Sequence, residues 1–174
     1  MCSRNRIKVR SYESPCGRLV LGSYGESLCL CDWQEVRRRN DVADRLRRGL
    51  HAEFEEGCSP VIEVAAHQLD EYFAGKRREF DIPLLFVGTE FQKQVWNELL
   101  DIPFGSTISY GTMAAKIGMA KAVRAVANAN GANAISIFAP CHRVIGSNGS
   151  LTGYAGGINV KKYLLDLECR CLGL

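Results

Sequence analysis

The stretch Ser109-Tyr110-Gly111-Thr112-Met113-Ala114-Ala115-Lys116-Ile117-Gly118-Met119-Ala120-Lys121-Ala122-Val123-Arg124-Ala125-Val126-Ala127-Asn128-Ala129-Asn130-Gly131 decides the fold of the second half of the chain. Ser109 has the side chain of a helix N-cap, so a short helix is expected through Ile117. Gly118 turns the chain, and a second helix is expected from about Ala122 to Asn130, stopped by Gly131. Helix, short turn with glycine, helix is the layout of a helix-turn-helix; on spacing alone an ordinary αα-corner fits as well. In the second helix Val123, Val126, Ala127 and Asn130 form a packing stripe, whereas Ala122, Ala125 and Ala129 leave a side with almost no side-chain volume. Arg124 projects near that smooth side. Such a helix can lie against a nucleic-acid groove with one cation reaching in, by default to a phosphate and more sharply between bases.

The charge pattern around this stretch points the same way. Residues 102–165 contain no Asp or Glu, where the overall acid frequency would place about seven, yet they hold Lys116, Lys121, Arg124, Arg143, Lys161 and Lys162. The gap reads as a polyanion-facing surface, or else as a buried segment that needs few charges. The net charge of +3 lies entirely in residues 85–174. By contrast Arg37, Arg38, Arg39, Arg45, Arg47 and Arg48 alternate with Glu35, Asp41 and Asp44 and read as a solvated face.

Upstream, Thr89-Glu90-Phe91-Gln92 fits a capping box, and Phe91, Val95, Trp96 and Leu99 follow at helical spacing until Pro103 and Gly105. Earlier still, the alternation of Ile7, Val9 and Tyr12, then Leu19 and Leu21, then Leu28, Leu30 and Trp33 predicts a strand meander. Residues 60–74 predict a helix, with Pro60 at its start and Gly75 as its stop, and 80–86 a further strand or a linker. The chain of 174 residues has room for one domain or two small ones sharing an interface. The pattern divides it into an α+β domain at 1–84 and a helical domain at 85–174.

Downstream, Ile135 to Ala139 is a buried-looking extended run that delivers the chain to Pro140-Cys141-His142-Arg143-Val144, followed by glycines 146, 149, 153, 156 and 157. Glycines let a backbone pass close to a ligand. A thiol reacts as its thiolate and needs a base or positive field to do so at neutral pH; His142 is the obvious base. Sequence neighbours do not face each other in a strand or helix, so a bridging water suits the pair better than direct contact. The eight cysteines lack a paired C-x2-C framework, which makes zinc a poor alternative, and Cys29 and Cys31 share one strand face, as small core residues do. His51 and His67 read as surface residues. No secretory pattern opens the sequence and no apolar run approaches the roughly 18–20 residues of a membrane span. A reducing, cytoplasmic setting is expected (nuclear in a eukaryote), with no membrane partner.

Pro140-Cys141-His142-Arg143-Val144, followed by Gly153-Tyr154-Ala155-Gly156-Gly157 and preceded by Arg124-Ala125-Val126 and Asn133, closely resembles the O6-alkylguanine-DNA alkyltransferases. The resemblance is strong from about Thr89 to Glu168, with Phe91-Gln92 and Val95-Trp96 in place, and weaker over 1–84, where mainly Ser14-Pro15 and Gly17 match. It implies an α+β fold, with a small antiparallel sheet and helices (ribonuclease H-like) ahead of a helical domain carrying a winged helix-turn-helix-like motif. It implies single-turnover DNA repair: Cys141 takes an alkyl group irreversibly from O6 of guanine, with O4 of thymine a further candidate. His142 acts as base through a water, oriented by Glu168, while Asn133 braces the cysteine turn and Tyr110 donates to N3 of the leaving guanine. The backbone of Cys141 and Val144 accepts from the exocyclic amine, the Ala155 amide reaches O6, and Tyr154 walls the pocket, with Ser136 and Thr152 at its rim. Arg124 fills the gap left by the flipped nucleotide, and the Ala122, Ala125 and Ala129 side lies in the minor groove of double-stranded DNA. A monomer without cofactor is implied. Some relatives hold a structural zinc through Cys and His; Tyr24 and Cys29 replace that set here, so no metal is expected. Two alternatives are a non-catalytic alkylated-base recognition module and a cysteine-based alkylation-sensing regulator.

Overall fold

The computed structural model describes residues 5–35 and 39–173, with the backbone alone at residue 39. Three strands, β1 (Arg6–Ser14), β2 (Gly17–Tyr24) and β3 (Ser27–Trp33), form the expected antiparallel meander. The turn into β3 passes through Gly25, whose φ of 58° suits a residue without a Cβ. A helix, α1 (Arg39–Leu50), then leads to β4 (Glu53–Glu56), which pairs parallel to β1 and gives the sheet order β3-β2-β1-β4. Arg37 and Arg38 of the expected solvated run lie outside the described residues. Arg45 departs from that expectation: its guanidinium donates to the Ala132 carbonyl at 2.8 Å and sits 5.1 Å from the Trp96 ring centroid, because α1 faces the second half of the chain.

Helix α2 (Pro60–Phe73) is capped by Ser59, which accepts from the Ile62 amide, and it buries Ile62, Ala65, Leu69 and Tyr72. The spacing of three and four residues is that of one helical stripe. Residues 80–86 are a linker: the Leu28 amide donates to the Pro83 carbonyl and the Leu85 amide to the Leu28 carbonyl, both at 2.8 Å. Further along the same edge, the Cys31 amide donates to Ala134 at 2.8 Å and Cys31 accepts from the Ser136 amide at 2.7 Å. The otherwise open edge of β3 is thus covered from both sides, and the cysteine-bearing segment is fixed to the sheet.

Helix α3 (Glu90–Leu99) carries both bonds of the capping box at Thr89 and Gln92. Strand β5 (Ile108–Ser109) runs into α4 (Tyr110–Lys116), capped by Ser109 accepting from the Thr112 amide. Gly118, with φ of 73°, turns the chain towards α5 (Val123–Gly131). The Trp96 indole donates to the Ala129 carbonyl at 2.8 Å and ties α3 to α5. Strand β6 (Val144–Ile145) pairs parallel with β5, and α6 (Ile158–Leu172) closes the chain between Gly157 and Gly173.

Residues 135–139 are buried as expected, but as a tight turn and not an extended run. The Ala139 amide donates to Ile135 at 3.0 Å, and Ile137 takes a left-handed φ of 72°. An apolar run of five does not separate strand from buried turn by pattern. The reversal follows from docking on β3: once Cys31 has bound Ala134 and Ser136, the chain must fold back to reach the core.

Candidate active site

Asn133 holds that turn closed. Its Oδ1 accepts from the Ile135 amide at 3.0 Å, and its Nδ2 donates to the Ala139 carbonyl at 2.9 Å, two residues before Cys141. Cys141 begins a single 3-10 turn, Cys141–Arg143, that passes directly into β6. Since β6 pairs with β5, Val144 is brought opposite Ile108 and Tyr110 is carried to the cysteine. The thiol is 3% exposed. Burial pushes it up to about 11, against the lowering effects of Asn133 and Lys161, so it rests protonated and needs a base.

His142 and Arg143 point from the turn to α6. The His142 Nε2 lies 2.7 Å from Glu168 Oε1, while Arg143 donates from Nε to Oε2 at 2.9 Å and from Nη2 to Oε1 at 3.0 Å. The Tyr72 hydroxyl adds a bond of 2.9 Å to Oε1 and the Gly105 amide one of 2.8 Å to Oε2. Burial alone would push the Glu168 carboxyl up; the bonds and charges of His142 and Arg143 outweigh it and hold it at about 2. Burial lowers His142 below its ordinary value, Glu168 opposing. A neutral imidazole beside a carboxylate keeps its proton on Nε2, so Nδ1 carries the lone pair. That atom is buried and has no protein partner. The arrangement is a base oriented by a fixed carboxylate, one residue from a thiol.

The other wall is built around Lys161, which is fully buried on α6. Its ammonium donates to the Val144 carbonyl at 2.5 Å, to the Thr152 carbonyl at 2.9 Å and to the Tyr110 hydroxyl at 3.5 Å; that hydroxyl itself donates to the Thr152 carbonyl at 2.9 Å. Burial lowers Lys161 to about 8, the Cys141 thiolate charge opposing. Tyr154 is buried, accepts from the Trp33 indole at 3.2 Å, and stands edge-on to His142 with ring centroids 6.5 Å apart. Gly153 and Gly156 leave the room this requires: a Cβ on Gly153 would come within 3.2 Å of the Tyr110 hydroxyl, and one on Gly156 within 2.7 Å of the Trp33 indole nitrogen. Ala155 between them is half-buried.

Family comparison settles what this arrangement belongs to. Residues 90–170 match the family model described as 6-O-methylguanine DNA methyltransferase, DNA binding domain, and residues 7–86 the one described as 6-O-methylguanine DNA methyltransferase, ribonuclease-like domain. The chain belongs to the 6-O-methylguanine DNA methyltransferase family. It is 45% identical to the methylated-DNA–protein-cysteine methyltransferase of Methanosarcina acetivorans, over 92% of this chain and 97% of that one. Its fold is similar to the crystal structure of Mycobacterium tuberculosis O6-methylguanine methyltransferase, with a TM-score of 0.79 and 44% identity over 93% and 92% of the two chains. It is equally similar to the M. tuberculosis OGT solved in complex with DNA, with a TM-score of 0.79 and 43% identity over 95% and 94%.

Within this family member, the residues expected in the site do not all lie where the sequence pattern suggested. Cys141, His142, Glu168, Asn133, Tyr110, Val144 and Tyr154 converge as described. On α5, Arg124 and Ala125 are exposed and Ala122 half-buried, whereas Ala129 is 3% exposed and turned inward under Trp96; Val123, expected in the packing stripe, is 38% exposed. The open part of α5 is therefore its first turn, Val123, Arg124 and Ala125, with Asn128 one turn on. Ser136, expected at the pocket rim, is fully buried, and Thr152 is exposed. The acid-free window is also corrected as a surface: Arg143 and Lys161 are internal groups, and Lys116 pairs with Glu98. Sequence reasoning gave no role in the site to Lys161, Arg143, Tyr72 or Asn130, whose Nδ2 donates to the Cys141 carbonyl at 3.3 Å. For Lys161 a signal existed, because with Leu164 and Glu168 it makes one stripe of α6. Among the described residues no cluster of three or more His, Cys, Asp or Glu is placed to hold a metal, every cysteine is a free thiol, and no helix is long and apolar enough to cross a membrane.

Proposed function

We propose that this protein repairs alkylated DNA by moving the alkyl group from O6 of a flipped guanine to Sγ of Cys141, irreversibly and once per molecule. The observation that carries the reading is the vacant Nδ1 of a neutral His142 whose Nε2 is fixed on ionised Glu168, beside a buried thiol. His142 Nδ1 takes the thiol proton through a water, the S–C bond forms as the C–O6 bond breaks, and the electron pair passes into the guanine ring. Tyr110, supported by the Lys161 ammonium, turns its O–H from the Thr152 carbonyl to donate to ring N3 as negative charge develops there. The Cys141 and Val144 carbonyls accept from the exocyclic amine, and the Ala155 amide reaches O6. Asn130 and Lys161 hold those two carbonyls from behind. The exposed α5 face lies in the minor groove, with Arg124 in the place of the flipped base. On this reading 1–84 supports and 85–174 reads and reacts, as a monomer in the cytoplasm. Incubation with an O6-methylguanine duplex should restore guanine in one turnover; unrepaired DNA with an unmodified protein refutes the reading.

A further inference from the structure

The Glu168 carboxylate that orients His142 is completed from the other half of the chain. Tyr72 stands on α2, 96 residues away in sequence and fully buried, and its hydroxyl bonds Glu168 Oε1 beside His142 Nε2. Its ring is set among aromatic groups, with centroid distances of 5.3 Å to Phe73, 5.7 Å to Phe80 and 6.1 Å to Phe104. A phenylalanine would fill the same volume without taking a hydroxyl out of water, so packing does not account for the polar atom. We propose that Tyr72 is a positioning residue for alkyl transfer, holding the Glu168 carboxylate so that the His142 imidazole stays neutral with Nδ1 free. The inference rests on the function proposed above.

The physical argument concerns how much negative charge His142 feels. Glu168 is met by His142 and Arg143 from the 3-10 turn, by the Gly105 amide from the loop after α3, and by Tyr72 from α2. Among the described residues, Lys161 on α6 and Tyr154 against its ring also face His142, and Cys141 precedes it in the turn. Each donor to the carboxylate spreads its charge; with one removed, the carboxylate is more basic and favours an imidazolium. Burial holds the Tyr72 phenol far above its ordinary value, so it remains a donor throughout the working range.

The test is the pH dependence of methyl transfer from an O6-methylguanine oligonucleotide, from about pH 5 to 8, with His142 titrated by NMR in the same proteins. Tyr72→Phe should move the acid limb and the His142 titration upward by about half a pH unit or more, with the rate recovered at the alkaline end. In a Glu168→Gln background the substitution should add no shift. An unchanged acid limb with a rate lowered equally at every pH would mean a structural role and overturn the proposal, as would the same shift in the Glu168→Gln background. Absence of transfer by the unaltered protein overturns the functional reading itself, while the NMR titration still decides whether Tyr72 sets the state of His142.

Discussion

Replacing Glu168 by glutamine removes the charge on which five donors converge. The carboxyl is held at about 2 against an ordinary 4.5. At 1.36 kcal/mol for each pKa unit, that difference is worth about 3 kcal/mol of folding stability. The sign follows from the depression: this stability is fully present above pH 4.5 and is lost as the pH falls towards 2. Glutamine keeps one acceptor oxygen but puts an amide in place of the other, which the donor-only Arg143 guanidinium and Gly105 amide cannot bond, and it leaves the Arg143 guanidinium buried without a counter-charge. Breaking a buried pair from one side costs about 3–5 kcal/mol, consistent with the titration figure. For a chain of this size, Glu168→Gln should therefore lower Tm at neutral pH by roughly 10 °C, measured by circular dichroism. Arg143→Met with Glu168→Leu should recover only part of the loss, because no unpaired charge remains but the Tyr72 hydroxyl and the Gly105 amide lose their acceptor. A fall of only a degree or two, or a parent protein whose Tm is flat as the pH drops below 4.5, would refute the argument.

Other substitutions address other parts of the account. Arg124→Ala should slow transfer from duplex DNA by about tenfold or more and leave reaction with free benzylated guanine nearly unchanged, because only the duplex needs a base held out; equal loss on both substrates sinks that role. Since burial lowers the Lys161 ammonium to about 8, transfer should decline as the pH rises through that value. Lys161→Gln should remove the alkaline decline and lower the plateau, and a decline that persists in the variant contradicts the assignment. Thr89→Ala, which removes the Thr89 hydroxyl that accepts from the Gln92 amide while leaving the Thr89 amide to donate to the Gln92 side chain, should cost about 1 kcal/mol in urea unfolding without altering the transfer rate at saturating DNA.

The sequence made local devices legible and long-range ones illegible. The capping box at Thr89, the cap at Ser109, the turn at Gly118 and the strand meander rest on neighbours within a few residues, and all appear in the structure. Asn133 and Glu168 were reached only through the family resemblance, since nothing local marks an asparagine as a turn brace or a glutamate as the partner of a histidine 26 residues away. Arg143 and Lys161 were counted as surface cations because charge in a sequence carries no sign of burial. Ile137 offered no glycine to announce a left-handed residue. Tyr72 fell on the apolar stripe of α2 like any core aromatic, and its hydroxyl acquires meaning only once α6 is packed beside it.

The central claim is that Cys141 is the acceptor. After incubation with an O6-methylguanine duplex, mass spectrometry of the digested protein should find one methyl group, on the Cys141 peptide, in proportion to the guanine restored, and none in Cys141→Ala, which should still bind DNA. Repaired DNA with the methyl on another residue, or with none on the protein, would contradict the account.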